Sequence, residues 1–182
     1  MQMLQGERVR LRALDEADAE TVWRWYQDHE FSVLDGNIYG SSQETTRSFV
    51  ASLSRPAFGG VSLGIEDEHA TLIGLVRLKR VSAEDRCADF GIAIAREHWS
   101  RGYGTDATRT ILGFAFAEMG LHRVQLGYVE YNVRARRCYD KCGFVEEGRE
   151  RQAKYRDGRY YDNVLMGILA DEFQVGISSA RV

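Results

Sequence analysis

The stretch Val9-Arg10-Leu11-Arg12-Ala13-Leu14 alternates apolar and polar residues at a period of two, which predicts a strand with one buried face. Asp15 then reads as a helix N-cap, and Asp18 three residues on completes a capping-box-like acidic pair. The helix it starts is amphipathic through Val22, Trp25 and Tyr26. Ser41 or Ser42 caps a second helix with Phe49, Val50 and Leu53 at helical spacing, ended by Pro56, Gly59 and Gly60. Strands are predicted over residues 61–66, 72–81 and 86–95. The turns between them, Glu66-Asp67-Glu68-His69 and Ser82-Ala83-Glu84-Asp85, are short enough for antiparallel hairpins.

The strongest helical pattern runs over residues 102–119, with Ala107, Ile111, Phe114 and Ala115 on one stripe and Gly120 as its stop. Residues 123–129 form another strand. Asn132 caps a helix through Ala135, Cys138 and Tyr139 that stops at Gly143. Phe144 begins a strand, and residues 159–169 close the sheet after an Asp157-Gly158 turn. The expected fold class is therefore α/β: a central mixed, mostly antiparallel sheet of about seven strands, flanked by about four helices. The chain reads as a single domain over residues 1–175 with a short C-terminal tail, 176–182.

Composition narrows the function classes. Of 182 residues, 44% are hydrophobic and 28% charged, as in a soluble globular domain. The net charge is -3 and no stretch gathers Lys and Arg alone, which argues against a nucleic-acid surface. The beginning of the sequence lacks an apolar signal core, and no apolar run approaches the ~18 residues of a membrane span. A cytoplasmic protein with no membrane partner is expected. Cys87, Cys138 and Cys142 are too few and too irregularly spaced for a disulfide framework and read as reduced thiols. Cys138 and Cys142 share a helix face, but no neighbouring His or Cys completes a metal site, so none is expected.

Chemistry concentrates at Trp99-Ser100-Arg101-Gly102-Tyr103-Gly104-Thr105, between a strand and the long helix. Two glycines one residue apart let backbone N–H groups converge on a phosphate, and the helix N-terminus adds its positive dipole end. Arg101 can add a full charge. A strand-to-helix turn alone would also use such glycines. Gly102, Gly104 and Ala107 satisfy the dinucleotide pattern G-x-G-x-x-A as well, with Glu130 at the end of the next strand. Residues 96–101 intervene between strand and glycine, however, and the preceding chain reads as hairpins rather than parallel units.

Together with segments further along the chain, the loop resembles the GNAT superfamily of acetyltransferases, in particular its RimJ/RimL and spermidine-acetyltransferase branch. Trp99, Gly102 and Gly104 match the cofactor-loop pattern, with Trp99 at a lead position more often held by Gln or Arg. Asn132-Val133-Arg134-Ala135-Arg136-Arg137-Cys138-Tyr139-Asp140-Lys141-Cys142-Gly143-Phe144 resembles the family's N-x-x-A-x-x-x-Y-x-x-x-G-F segment. Residues 155–166 look like the branch's closing hairpin, and residues 9–18 like its opening strand and helix.

The resemblance implies a GNAT fold, acetyl-CoA as cofactor and transfer of its acetyl group to a primary amine in a ternary complex. It implies that Ile92, Ala93 and Ile94 offer backbone hydrogen bonds to the pantetheine arm. The loop from Trp99 through Ser100, Arg101, Gly102, Tyr103 and Gly104 to Thr105 holds the pyrophosphate, and Asn132 and Arg137 contact the cofactor. Tyr139 stands at the sulfur as general acid. A tyrosine near pKa ~10 is matched to a coenzyme A thiolate. Asp89 is the leading candidate base, with a salt bridge to Arg77 or Lys79 as its alternative use; Glu130, Tyr128 and Asp162 also sit at strand ends. Asp28, His29, Glu30, Asp35 and Glu44 make the early helical region acidic, which suits a polyamine or aminoglycoside acceptor or is a solvated face. A peptide N-terminus is an equal alternative. A homodimer is implied by family analogy, and a non-catalytic acetyl-CoA-binding module is the rival function.

Overall fold

The computed structural model describes residues 3–36, 40–54 and 59–173. One sheet carries eight strands in the order β1-β2-β3-β4-β5-β6-β8-β7. They are β1 (Leu4–Gln5), β2 (Arg10–Arg12), β3 (Gly60–Glu66), β4 (Leu72–Ser82), β5 (Cys87–Ile94), β6 (Arg123–Val129), β7 (Val145–Arg156) and β8 (Arg159–Leu169). Among the described residues five α-helices cover it: α1 (Ala19–Trp25), α2 (His29–Asp35), α3 (Gln43–Leu53), α4 (Tyr103–Ala117) and α5 (Val133–Lys141). All strand pairs are antiparallel except β5–β6, which is parallel and is bridged by α4. The expected mixed sheet is present. The strand beyond the predicted seven is β1, two residues long and too short to show a period.

The predicted capping pair forms. Asp15 accepts from the Ala17 N–H at 3.0 Å, and Asp18 accepts from the Asp15 N–H at 2.8 Å. This pair starts a short 3-10 turn, Glu16–Asp18, that leads into α1. The helix count rises from four to five because a second helix follows. Asp28 caps α2 through the Phe31 N–H at 2.8 Å, and Gly36 closes it with φ +86°. Ser42, not Ser41, caps α3. The expected breaker Pro56 and the tail 176–182 lie outside the described residues.

Two cores flank the sheet. On one face Ile111, Leu112 and Ala115 of α4 pack with Val76, Leu78, Ala88, Phe90, Val124 and Ile168. On the other, Val22, Trp25, Phe31 and Val50 from α1, α2 and α3 cover Leu72, Leu75 and Ala95. Burial on both faces makes the central strands apolar nearly throughout, as Leu72 to Val76 show. Arg12 ties the first strand to the helical layer. It donates to Asp18 at 2.7 and 2.8 Å and to Glu66 of β3 at 2.5 Å.

Candidate active site

The parallel pair β5–β6 is brief. Cys87, Ala88 and Asp89 face Arg123, Val124 and Gln125, and beyond Asp89 the strands part. Residues 90–94 remain paired to β4 on one edge only. A cleft of about 680 Å³ opens there, lined by Ile92, Ala93, Ile94, every residue from Trp99 to Thr105, Asn132, Arg137 and Tyr139. The structure thus brings together every residue expected at the cofactor, across three separate segments of chain.

The floor of the cleft meets the start of α4. Gly102 adopts φ +89°, a conformation that disfavours any side chain, and no side chain caps the helix. Its first N–H groups therefore face the cleft without a protein partner. A methyl group added at Gly104 would lie 3.7 Å from the Cys138 sulfur and 3.9 Å from Ile94, filling the cradle. Bare backbone, a helix dipole and the nearby cations Arg101 and Arg137 fit a pyrophosphate. The unpaired edge of residues 90–94 fits an extended arm bearing amide groups.

Trp99 fixes the loop to the strand. Its indole N–H donates to the Ile94 carbonyl at 2.6 Å, and the Arg134 guanidinium lies 3.5 Å from its ring centroid. Asn132 accepts from the Ala135 N–H at 3.2 Å, so it caps α5 as its spacing predicted and also lines the cleft. Thr105 approaches the Cys138 sulfur at 3.6 Å, seating α5 on the first turn of α4. No cluster of metal-ligating residues occurs among the described residues.

Tyr139 projects from α5 into an aromatic nest, edge-on to Phe90, Tyr128 and Phe144 at 5.8–6.1 Å. Burial, with the neighbouring thiols, holds its phenol well above the ordinary tyrosine range. The hydroxyl stays protonated at any physiological pH.

Asp89 does not reach the cleft. It is ion-paired with Arg80 and accepts from the Gln125 amide at 2.9 Å. The partner is Arg80 rather than Arg77 or Lys79 because β4 bulges between Lys79 and Ser82, and Arg80 sits at φ +48°. Glu130 and Asp162 are likewise engaged with backbone: Glu130 accepts from the Asp162 N–H at 3.0 Å, and Asp162 from the Gln152 N–H at 2.9 Å. Tyr128 does line the cleft.

The acidic region also disperses. Asp28 caps α2 and pairs with Arg96 at 3.0 Å, while Glu30 pairs with Arg96 at 3.2 Å and Arg134 at 3.3 Å. His29 and Glu44 are exposed. Asp35 alone of the five lines the cleft. The Tyr26 hydroxyl donates to it at 2.6 Å and Arg77 lies 3.9 Å away. Burial pushes its carboxyl above the ordinary aspartate range, with the Tyr26 hydrogen bond and the Arg77 charge offsetting only part. Periodicity carries no signal for this placement, since a helix shorter than three turns shows no clear stripe. Arg77 and Lys79, also in the cleft wall, are legible in the sequence only as a polar pair flanking Leu78.

An unpaired strand edge running into an uncapped, glycine-started helix is how one class of transferase holds a coenzyme A thioester. The acetyltransferase (GNAT) domain family matches residues 8–145. The spermidine N(1)-acetyltransferase of Vibrio cholerae is 36% identical over 109 residues, an alignment covering 60% of this chain and 63%, less than two thirds, of that protein. The putative ribosomal N-acetyltransferase YdaF of Bacillus subtilis is 26% identical over 175 residues, covering 93% of this chain and 95% of that protein. The crystal structure of the Vibrio cholerae spermidine N-acetyltransferase in complex with CoA and spermine superposes with a TM-score of 0.81. It is 28% identical and covers 90% of this chain and 96% of that one. The chain belongs to the GNAT family of N-acetyltransferases, enzymes that move an acetyl group from acetyl-CoA to an amine. No helix among the described residues is long and apolar enough to cross a membrane.

Proposed function

We propose that the cleft between β5 and β6 holds acetyl-CoA and a primary amine together, and that the amine attacks directly. The observation that carries the reading is the free edge of β5 running into the uncapped start of α4. Backbone groups of Ile92, Ala93 and Ile94 bind the pantetheine amides. Residues 99–105, with Asn132 and Arg137, hold the phosphates. Acetyl-CoA supplies an activated acyl group as a thioester, so the chain's own groups have two tasks, moving protons and positioning.

Tyr139 donates to the departing sulfur. Its raised pKa makes complete transfer to a thiolate near ~8.5 uphill, so its contribution is chiefly a hydrogen bond that strengthens as charge develops. Asp35 takes the place expected of Asp89. Among the described residues it is the one carboxylate in the cleft lining, and its upward shift moves it toward the pH at which an ammonium proton must be removed. The acceptor is a primary amine on a small molecule or a peptide N-terminus, entering between α2 and the β7–β8 hairpin.

Thiol release from acetyl-CoA, followed with and without polyamines, aminoglycosides, amino-acid derivatives and ribosomal-protein N-terminal peptides, tests the reading. Amine-dependent release that collapses in Tyr139→Phe supports it; absence of acetyl-CoA binding overturns it. A cytoplasmic homodimer completes the proposal. The exposed pair Tyr155 and Tyr160, with ring centroids 4.9 Å apart on the outer hairpin, suits a contact between copies, and light scattering in solution tests it.

A further inference from the structure

We propose that the acceptor amine carries a second, anionic group, a carboxylate or a phosphate, received by Arg77 and Lys79 on the α2-facing side of β5. The inference rests on the transferase reading above and narrows its acceptor. Arg77 and Lys79 are two apart on β4 and so point to one face. In the β4–β5 register Arg77 stands opposite Gly91 and Lys79 opposite Asp89. Gly91 has no side chain, and Lys79 extends over it: a methyl group there would lie 3.9 Å from the ammonium nitrogen. The cation is thereby aimed along the cleft wall toward the residues that flank the cofactor arm.

Neither cation is well matched within the protein. Asp89, the natural cross-strand partner of Lys79, is taken by Arg80 and Gln125, and Lys79 makes no ion pair among the described residues. The nearest carboxylate to Arg77 is Asp35, at the long separation of 3.9 Å. Partial burial and the Arg77 charge beside it hold the Lys79 ammonium below its ordinary pKa, with the Asp35 charge offsetting only part. The facing wall has the same sign. Lys154 and Arg156 of β7 line the cleft, and the Arg156 Nε is shielded from water without a hydrogen-bond partner.

Among the described residues Asp35 is the one carboxylate in the cleft lining, against these four cations. All four lie on β4 and β7, away from the α4 N-terminus that serves the cofactor phosphates. A polyamine would bring further ammonium groups against like charge. An amine bearing an anion instead sets its nitrogen at Asp35 and its anion at Arg77 and Lys79, satisfying both signs.

Matched acceptors test this: glucosamine against glucosamine 6-phosphate, butylamine against 4-aminobutyrate, and spermidine, each by acetyl-CoA-dependent thiol release. The anionic member of at least one pair is expected to exceed both its uncharged partner and spermidine by about tenfold in kcat/KM. Phosphate or carboxylate is identified by which pair responds. Lys79→Gln, which breaks no ion pair, brings that ratio close to one; Arg77→Gln does the same, and thermal melts confirm both variants fold. Spermidine or the uncharged partners turning over as fast, or a ratio unmoved in Lys79→Gln, overturns this inference and leaves the transferase standing. Release with none of the five amines overturns this inference, while loss of acetyl-CoA binding itself overturns the transferase reading.

Discussion

The Tyr26 hydroxyl donates a 2.6 Å hydrogen bond to the Asp35 carboxylate, joining the end of α1 to the end of α2 at the cleft wall. The bond stabilises the ionised carboxylate against the burial that raises its pKa. Tyr26→Phe therefore lifts the Asp35 pKa further. With Asp35 as base, the acidic limb of the pH profile of kcat/KM moves to higher pH. A limb that stays in place removes Asp35 from the role.

Asp35→Asn separates activity from stability. A carboxyl whose folded pKa is raised favours folding at low pH, and that contribution is lost as pH rises through the folded value. At pH 8 the ionised Asp35 is a net burden, so the amide variant should melt no lower than the parent. Its kcat should fall by about 10²-fold. A lower melting temperature together with full activity contradicts both halves.

Tyr139→Phe removes a hydroxyl that makes no hydrogen bond to the described residues and keeps the ring among Phe90, Tyr128 and Phe144. Stability should change by less than about 1 kcal/mol, since only an unpaired polar atom is lost. Acetyl-CoA affinity should hold while kcat falls by about 10²-fold or more. Calorimetric titration beside steady-state kinetics separates the two.

Trp99→Phe deletes the donor to the Ile94 carbonyl and narrows the surface on which Arg134 stacks. The loop then loses its fixed distance from β5. Acetyl-CoA binding should weaken by about tenfold, with little change in the KM of the amine. An effect confined to the amine would place Trp99 in the acceptor site instead.

Arg12 serves two carboxylates, Asp18 and Glu66. Burial alone would raise both, but the hydrogen bonds and charge of Arg12, joined by Arg10 at Glu66 and the Asp15 N–H at Asp18, pull both below the ordinary range. Their contribution is present above the unfolded values near ~4 and disappears as pH falls through the lower folded values. Arg12→Ala should cost about 2 kcal/mol at pH 7, or roughly 4–8 °C in Tm. The deficit should shrink below pH 4, which melts across pH would show.

Much of the architecture is legible in the sequence where local chemistry and tertiary structure agree. The Asp15–Asp18 box, the Asn132 cap and the strand at residues 123–129 form where patterning places them. The helix α2 escapes because Asp28 and Glu30 read first as surface charge, although Asp28 before and Gly36 after are ordinary helix limits. A single bulge separates Asp89 from its expected place: alternation puts its partner at Arg77 or Lys79, and one extra residue in β4 delivers Arg80. The glycine loop, Asn132 and Tyr139 are visible as motifs. Asp35, Arg77 and Lys79 are not, because their meaning lies in facing one another across elements that no local window spans.

The three-residue stitch between β5 and β6 is the only strand pairing that joins the two halves of the sheet among the described residues, over a core that both halves share. With only three residue pairs in its ladder, the seam's amides should exchange with deuterium sooner than those of the longer β3–β4 or β6–β8 ladders. Acetyl-CoA held in the proposed cleft would contact residues on both sides of this stitch and act as a splint. At a hundredfold excess over its dissociation constant, that clasp is worth about 2.7 kcal/mol against unfolding. Acetyl-CoA should therefore raise the melting temperature of this enzyme as well as feed its reaction.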